Sequence, residues 1–259
     1  MAVRWSLPNP GPAWRTPAIG KLSALVFAGV LTLGAGSTNA ADCRQALVLA
    51  MDVSSSVDNR EDSLQRQGLA NALLSPDVEA AIFASSLPVA IAAYEWSGRD
   101  KHTLLSDWRL IATRGDLLDL AETIRGSQRS ETEFPTAMGY ALGYGAGLLA
   151  RGPDCLFRTL DLAGDGINNE GFGPEEAYAA FPFDEIVVNG LVVAPLDGPD
   201  QADVENFYRD RVIRGPGAFL EVARGFADYE RAMRRKLLRE LRPRAVGLLS
   251  APEQRQHPS

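Results

Sequence analysis

The feature that most constrains the fold is an alternation of short apolar runs with longer amphipathic stretches over residues 43–241. The run at 46–53 is almost continuously apolar, as in a strand that is buried on both faces of a parallel sheet. Such alternation predicts one α/β domain over residues 42–241. We expect a Rossmann-like three-layer sandwich, with a mostly parallel central sheet and helices on both of its faces.

The apolar and polar periodicities also predict the order of the elements. Further strands are expected at 87–96, 103–111, 156–162, 185–194 and 218–222, with 103–111 as an antiparallel edge strand. Helices are expected at 58–74, 114–124, 136–149, 200–211 and 226–241, the first of them with a capping box formed by Asp58 and Glu61. The glycines at 139, 143, 145 and 147 predict close packing or a distorted helix.

The two ends of the chain differ from this domain. Residues 1–41 combine Arg4, Arg15 and Lys21 with an apolar run at 22–33 and a small-residue stretch, which predicts a signal peptide cleaved near residue 40 or 41. The apolar run is too short for a confident membrane span, although an uncleaved N-terminal anchor is the alternative. We therefore expect a periplasmic or secreted protein without a stable membrane span. Residues 242–259 have three prolines and no periodicity, and are predicted to be a disordered tail.

Charge and cysteine content narrow the possible partners and the compartment. Removal of residues 1–41 with their three basic side chains leaves 23 basic residues, and Asp42 onward holds all 33 acidic ones, for a net charge of about −10. Such acidity argues against nucleic acid as a partner. In an oxidising compartment, Cys43 and Cys155 are predicted to form a disulfide, with two free buried thiols as the alternative.

Polar side chains follow the predicted strands where ligands bind in parallel α/β sheets, at the carboxyl ends. Asp52, Ser54 and Ser56 alternate after the first strand, Thr136 opens a helix, and Asp165 follows the strand at 156–162. Taken alone, the Asp-Ser-rich turn and Thr136 are each more typical of helix capping than of a metal site. Together they offer hard oxygen donors, which suit Mg²⁺, Mn²⁺ or Ca²⁺. The sequence therefore indicates a divalent-cation site, with Mg²⁺ as the favoured ion.

This pattern resembles the metal-ion-dependent adhesion site of von Willebrand factor A (VWA) domains. The residues that carry the resemblance are Asp52-x-Ser54-x-Ser56, Thr136 followed by Ala141-Leu142, and Asp165-Gly166. The resemblance implies that Ser54, Ser56 and Thr136 contact the metal directly. It implies that Asp52 and Asp165 do so directly or through water, and that the sixth position is open to water or to a carboxylate of a partner protein.

A narrower resemblance covers almost all of the domain. Segments 46–57, 164–169, 208–219 and 236–240 are similar to an uncharacterised group of exported bacterial proteins with a VWA-like fold. In that fold the first and fourth strands are adjacent and parallel. Cys43 precedes Asp52 by 9 residues and Cys155 precedes Asp165 by 10, so the resemblance places the two cysteines level with each other.

One segment departs from the family. In VWA domains the loop before the metal-binding threonine often carries glycines. Here residues 131–135, before Thr136, hold Glu131, Thr132 and Glu133. Thr132 therefore competes with Thr136 as the ligand, although the spacing to Ala141-Leu142 favours Thr136. Glu131 or Glu133 either faces the site or is simply exposed.

We expect an exported, metal-dependent protein-binding module that is not an enzyme. The alternative is a metal-dependent hydrolase with Ser54 or Ser56 as nucleophile, but the sequence has no Gly-x-Ser-x-Gly elbow or P-loop. Of its two histidines, His257 lies in the predicted tail and His102 is expected at the surface. A structural protein with a vestigial site is a third possibility. The aromatic residues at 94, 96, 108 and 134 are either core or a recognition surface.

Overall fold

The computed structural model describes residues 41–194 and 201–242. The predicted signal peptide, residues 1–41, and the predicted tail, residues 242–259, lie outside the described residues except for residues 41 and 242.

A six-stranded sheet forms the centre of the fold, in the order β3-β2-β1-β4-β5-β6. All neighbouring strands are parallel except β3, which pairs antiparallel with β2 at one edge, as predicted. The strands are β1 (Cys43–Asp52), β2 (Val89–Trp96), β3 (His102–Ile111), β4 (Cys155–Gly164), β5 (Ile186–Ala194) and β6 (Leu220–Arg224).

Helices cover both faces of the sheet, which confirms the three-layer α/β prediction. They are α1 (Asn59–Leu73), α2 (Pro76–Ile82), α3 (Arg114–Gly126), α4 (Met138–Ala150), α5 (Pro174–Ala180), α6 (Gln201–Phe207) and α7 (Tyr229–Glu240). One hydrophobic core includes residues of α4, α5 and a π-helical turn at Tyr208–Val212, and the other includes residues of α1, α2, α3 and α7. Because it is covered on both faces, β1 is buried along its whole length.

Two short helices, α2 and α5, were not among the predicted elements. Each begins with a proline in its first turn and carries acidic residues there, which is a helix-start signal in the sequence. Their seven-residue lengths give too few turns for a visible apolar period. The strand predicted at 218–222 is also displaced by two residues, since β6 begins at Leu220.

The predicted disulfide is confirmed. Cys43 and Cys155 are register partners on β1 and β4, their Cα atoms are 4.6 Å apart, and their sulfur atoms are bonded. The alternative of two free thiols is therefore wrong. The bond ties together the amino ends of the two strands whose carboxyl ends carry Asp52 and Asp165.

Buried aromatic side chains and close glycine contacts consolidate the core. Tyr94 and Trp96 are fully buried, so they do not form a recognition surface, and Trp108 donates from its indole nitrogen to the Leu148 carbonyl at 3.1 Å. A Cβ atom at Gly139 would lie 2.3 Å from the Phe172 carbonyl oxygen, which confirms the predicted close packing of α4.

Among the described helices, none is long and apolar enough to cross a membrane.

Candidate metal site

The turn between β1 and α1 places the first three predicted ligands at the end of the strand. The backbone amide of Ser54 donates to Asp52 Oδ1 at 2.7 Å, and the buried side chain of Gln65 donates to the Asp52 carbonyl at 2.8 Å. Asp58 and Glu61 form the predicted capping box of α1. Because Asp58 caps this helix, the hydroxyls of Ser54 and Ser56 are free for other contacts.

A continuous run of side-chain hydrogen bonds joins four of the five predicted residues, and the fifth, Asp52, accepts from the Ser54 backbone amide. Thr136 Oγ1 donates to Ser54 Oγ at 3.2 Å, and Ser54 Oγ lies 3.2 Å from Ser56 Oγ. Ser56 Oγ in turn donates to Asp165 Oδ1 at 2.7 Å. The structure therefore brings residues from β1, the start of α4 and the end of β4 together at the carboxyl rim of the sheet.

The position of Thr136 separates it from the competing residues of its loop. Thr136 is buried beside Ser54, whereas Thr132 and Glu133 are exposed, and Glu131 pairs with Lys101 at 3.0 Å. The capping interpretation of Thr136 is wrong, because Ala137 occupies the N-cap position of α4 and its side chain makes no capping hydrogen bond. The Thr136 hydroxyl is thus available to the site.

The electrostatics of the site are dominated by two carboxyl groups, of which Asp52 is buried and Asp165 is partly exposed. Burial, followed by the nearby Asp165 carboxylate, raises the pKa of Asp52 to about 7. Burial also raises the pKa of Asp165, against the hydrogen bond from Ser56 that lowers it. Asp52 Oδ2 is buried, and no donor in the described part of the chain bonds to it. Withdrawn from water, this oxygen lacks the compensation that buried acceptors normally have.

One arginine approaches the site but does not pair with its carboxylates. Arg129 Nη2 donates to the carbonyl oxygens of Val53 and Ser54, at 2.8 Å each. Its charge slightly lowers the pKa of Asp165. Arg129 thereby fixes the turn that carries the serines, and it leaves Asp52 without a neutralising cation.

The oxygen donors present fit a hard divalent cation. The set consists of two carboxylates and three hydroxyls, and includes a carboxylate oxygen that no donor of the described residues satisfies. Among the described residues, no group of three or more His, Cys, Asp or Glu side chains could hold a metal, so a site here depends on its hydroxyls. A cleft of about 370 Å³, lined by Ser56, Thr136, Gly166 and Ile167 among others, opens the site to solvent.

Close packing behind the ligands leaves no room for a side chain at Gly164. A Cβ atom there would lie 2.5 Å from Tyr208 Oη and 2.8 Å from Asp52 Oδ2. Tyr208 is fully buried, and burial raises its pKa well above the usual range, so it faces Asp52 as a neutral phenol. The glycine therefore lets β4 approach the Asp52 carboxylate from behind.

Four residues that support the site were not predicted. They are Gln65, Arg129, Asn168 and Asn169, whose side chains bond to the backbone of the ligand-bearing segments. Asn168 and Asn169 lie in a loop of turn-forming residues after β4, where asparagine is common for reasons of backbone conformation alone. No signal in the sequence distinguishes a polar side chain that bonds a distant backbone group from one that faces water.

A family model described as "Protein of unknown function (DUF1194)" matches residues 42–245. The chain is a member of the DUF1194 family. No curated protein matches its sequence significantly.

Solved structures with VWA domains share the fold of this DUF1194 protein. Proximal thread matrix protein 1 from the mussel byssus aligns with a TM-score of 0.57 and 16% identity, over 78% of this chain and 48% of that one. A von Willebrand factor type A protein from Catenulispora acidiphila aligns with a TM-score of 0.54 and 13% identity, over 77% and 43%. The pilus adhesin SpaC from Lactobacillus rhamnosus GG aligns with a TM-score of 0.53 and 13% identity, over 77% and 31%.

These matches confirm the VWA-like fold. At such identities they establish the fold alone, and the chain spans less than half the length of each of the three proteins. Another structure of the mussel protein, with a TM-score of 0.53, has its metal-ion-dependent adhesion site occupied by zinc.

Proposed function

We propose that this DUF1194 protein is a metal-dependent protein-binding module that works outside the cytoplasm. The observation that carries the proposal is the buried Oδ2 atom of Asp52, which accepts no hydrogen bond from the described residues and lies beside three linked hydroxyls at the rim. A buried carboxylate that no neighbouring cation neutralises is strongly stabilised when it binds a cation from solution.

The proposed ligands divide by their chemistry. Ser54, Ser56 and Thr136 would hold the cation through their hydroxyl oxygens, and Asp52 and Asp165 would hold it directly or through water. A bound divalent ion supplies positive charge that attracts an anionic group, so a carboxylate of a partner protein is the expected ligand at the open position. Mg²⁺ is the favoured ion, with Mn²⁺ and Ca²⁺ as alternatives. Zinc occupies the metal-ion-dependent adhesion site of the mussel protein, which supports a divalent ion of unspecified identity here.

Export is part of the proposal. It is supported by the disulfide between Cys43 and Cys155, since such bonds persist in oxidising compartments, and by the signal-peptide pattern of the sequence. A periplasmic or secreted location would expose the rim to protein partners there. A pilus adhesin and a byssus protein share the fold, which is compatible with such a role.

We propose a binding role rather than a catalytic one. His102, expected at the surface, is instead half-buried: it stacks on Tyr144 with ring centroids 4.9 Å apart, and burial lowers its pKa. The hydroxyls of Ser54 and Ser56 bond to each other, to Thr136 and to Asp165. Serine nucleophiles are usually activated by a nearby base such as histidine, so these contacts favour ligation over the alternative, a metal-dependent hydrolase.

Isothermal titration of the mature, disulfide-bonded protein with Mg²⁺, Mn²⁺ and Ca²⁺ tests the proposal. Saturable binding by the wild type should be lost in Asp52→Ala and in Asp165→Ala. Asp119→Ala, which removes an exposed carboxylate from α3, is the matched control and should bind as the wild type does. If the folded wild type binds none of the three ions, or if Asp52→Ala binds them equally well, the proposed site is wrong.

A second arm addresses the partner. Immobilised wild-type protein loaded with Mg²⁺ should retain a protein from the extracytoplasmic fraction that chelator releases, and the Asp165→Ala protein should not retain it. Hydrolysis of a model ester or phosphate by the wild type, absent in Asp52→Ala, would instead favour the hydrolase.

A further inference from the structure

We infer that Asn168 and Asn169 are positioning residues that hold Thr136 ready to bind the metal, by taking over the hydrogen bonds at the start of α4. The inference rests on the proposed function and extends it to two residues outside the predicted ligand set. Neither side chain is a ligand in this account, because both act through the backbone of residues 136–138.

Asn169 forms hydrogen bonds with both the backbone amide and the backbone carbonyl of Thr136. The Thr136 amide donates to Asn169 Oδ1 at 2.8 Å, and the Asn169 amide donates to the Thr136 carbonyl at 3.0 Å. The same carbonyl accepts a second bond from the Glu170 amide at 3.2 Å. Both backbone groups of the proposed ligand are therefore bonded to one short segment.

Asn168 caps the helix that follows. The first amides of a helix need acceptors, which usually come from a Ser, Thr, Asp or Asn just before the helix. Here Ala137 occupies that position and has no acceptor, and the Met138 amide donates instead to Asn168 Oδ1 at 2.8 Å. A side chain from a distant loop thus performs the capping, and the Thr136 hydroxyl remains free to contact Ser54 Oγ.

The two asparagines also connect Thr136 to Asp165. They lie three and four residues after Asp165 in the same loop, so the last two proposed ligands belong to one hydrogen-bonded unit. Gly139 allows α4 to sit directly on this loop, because a Cβ atom there would lie 2.6 Å from the Gly173 carbonyl oxygen. A change that loosens the loop should therefore misplace Thr136 relative to Asp165.

Titration with Mg²⁺ of Asn168→Ala and Asn169→Ala, each alone and combined with Thr136→Ala, tests the inference. Each single asparagine variant should weaken binding by about tenfold, the lower end for residues that orient metal ligands. In the Thr136→Ala background the same substitution should cause no further loss, because the residue through which it acts is gone. Asn71→Ala is the matched control, since Asn71 also bonds through its side chain, to Glu230 and Arg125 on the exposed surface.

Equal Mg²⁺ affinity of the asparagine variants and the wild type would overturn the inference. A full tenfold loss in the Thr136→Ala background would overturn it too, because the asparagines would then act by another route.

Amide exchange in the metal-free protein keeps this test separate from that of the proposed function. Asn169→Ala should speed exchange of the Thr136 amide and Asn168→Ala that of the Met138 amide, whereas Asn71→Ala should change neither. A wild type that binds no Mg²⁺ would refute the proposed function, and the exchange rates would still decide whether the asparagines hold this segment. Unchanged exchange at both amides would refute the coupling.

Discussion

Two acidic pairs, Asp161 with Glu240 and Asp52 with Asp165, differ in how their charges are compensated. Asp161 lies on β4 and Asp165 directly follows that strand. Lys236 on α7 is fully buried between Glu240 of the same helix and Asp161 of β4. Lys236 Nζ lies 2.7 Å from Glu240 Oε1 and also contacts Asp161 Oδ1, while Asn189 donates to Glu240 Oε1 at 2.7 Å. At the rim, Asp52 and Asp165 have hydroxyls and amides around them. Among the described residues no donor bonds to Asp52 Oδ2, and none bonds to Asp161 Oδ2 either, so the two pairs differ in the lysine and not in this count.

The difference shows what the rim lacks. A buried carboxylate is costly unless a cation or several donors compensate it. The interior pair has its cation on α7, whereas the arginine nearest the rim, Arg129, is bonded to backbone carbonyls. The rim also opens to a cleft, which the interior pair does not line. This contrast supports an external cation as the missing partner of Asp52 and Asp165.

The largest expected effect follows from removing the interior cation. Lys236→Met leaves Asp161 and Glu240 buried without their partner, and breaking such a pair costs about 3–5 kcal/mol of unfolding free energy. Urea denaturation of the metal-free protein measures the loss. Adding Asp161→Asn and Glu240→Gln to Lys236→Met should recover part of it. A loss below about 1 kcal/mol for Lys236→Met alone would show that the interior pair does not depend on its lysine.

At the rim, removing a charge should instead increase the unfolding free energy of the metal-free protein. Asp52→Asn keeps an oxygen that can accept the Ser54 amide and removes a buried charge that has no internal cation. We expect the metal-free protein to gain about 2–4 kcal/mol of stability at about pH 8, measured by the same denaturation. Destabilisation by a similar amount would mean that the chain already compensates Asp52.

The pH dependence of stability sharpens this prediction. An aspartate titrates near pH 3.9 in the unfolded chain, whereas the pKa of Asp52 in the folded protein is about 7, so folding favours the proton. This contribution is complete below the unfolded pKa and is lost as the pH rises through about 7. Metal-free stability should therefore fall by about 2 kcal/mol between about pH 5 and about pH 7.

Asp161 changes stability in the same direction, because burial and then Glu240 raise its pKa to about 8, against Lys236, which lowers it. Asp52→Asn should consequently make the slope shallower without abolishing it. An identical slope in Asp52→Asn and the wild type would contradict the assignment of the shift to Asp52. Chemical denaturation at a series of pH values, with chelator present, provides the measurement.

The smallest expected effect concerns the loop before Thr136. Glu131 is partly exposed and pairs with Lys101 at 3.0 Å. Glu131→Gln should therefore cost less than about 1 kcal/mol of stability and should leave Mg²⁺ affinity unchanged. A marked loss of affinity in isothermal titration would place Glu131 among the residues that serve the metal.

The polar residues at the carboxyl rim could be predicted from the sequence, whereas most of the residues that hold them in place could not. The proposed ligands could be selected from the sequence because they follow strand ends at a spacing that resembles a known motif. Lys236 could not be placed, because α7 reads as an arginine-rich polar helix, and its partner Asp161 lies in a strand 75 residues earlier. The roles of Asn168 and Asn169 likewise depend on where α4 docks, which no local pattern encodes.

The helices α2 and α5 differ from these cases, because their proline and acidic first turns were present in the sequence. The start of each short helix is therefore encoded locally, whereas seven residues are too few to show an apolar period. Buried polar partners distant in the chain need the tertiary structure, since whether a charged side chain is buried depends on the residue that meets it.

The most direct test of an external cation at the rim is the unfolding free energy of the wild type and Asp52→Asn, each measured in chelator and in Mg²⁺. At a free Mg²⁺ concentration about 100 times the dissociation constant, binding to the folded state alone adds about 2.7 kcal/mol. We predict this gain for the wild type and none for Asp52→Asn. An equal gain in both proteins, or no gain in the wild type at saturating Mg²⁺, would contradict the account.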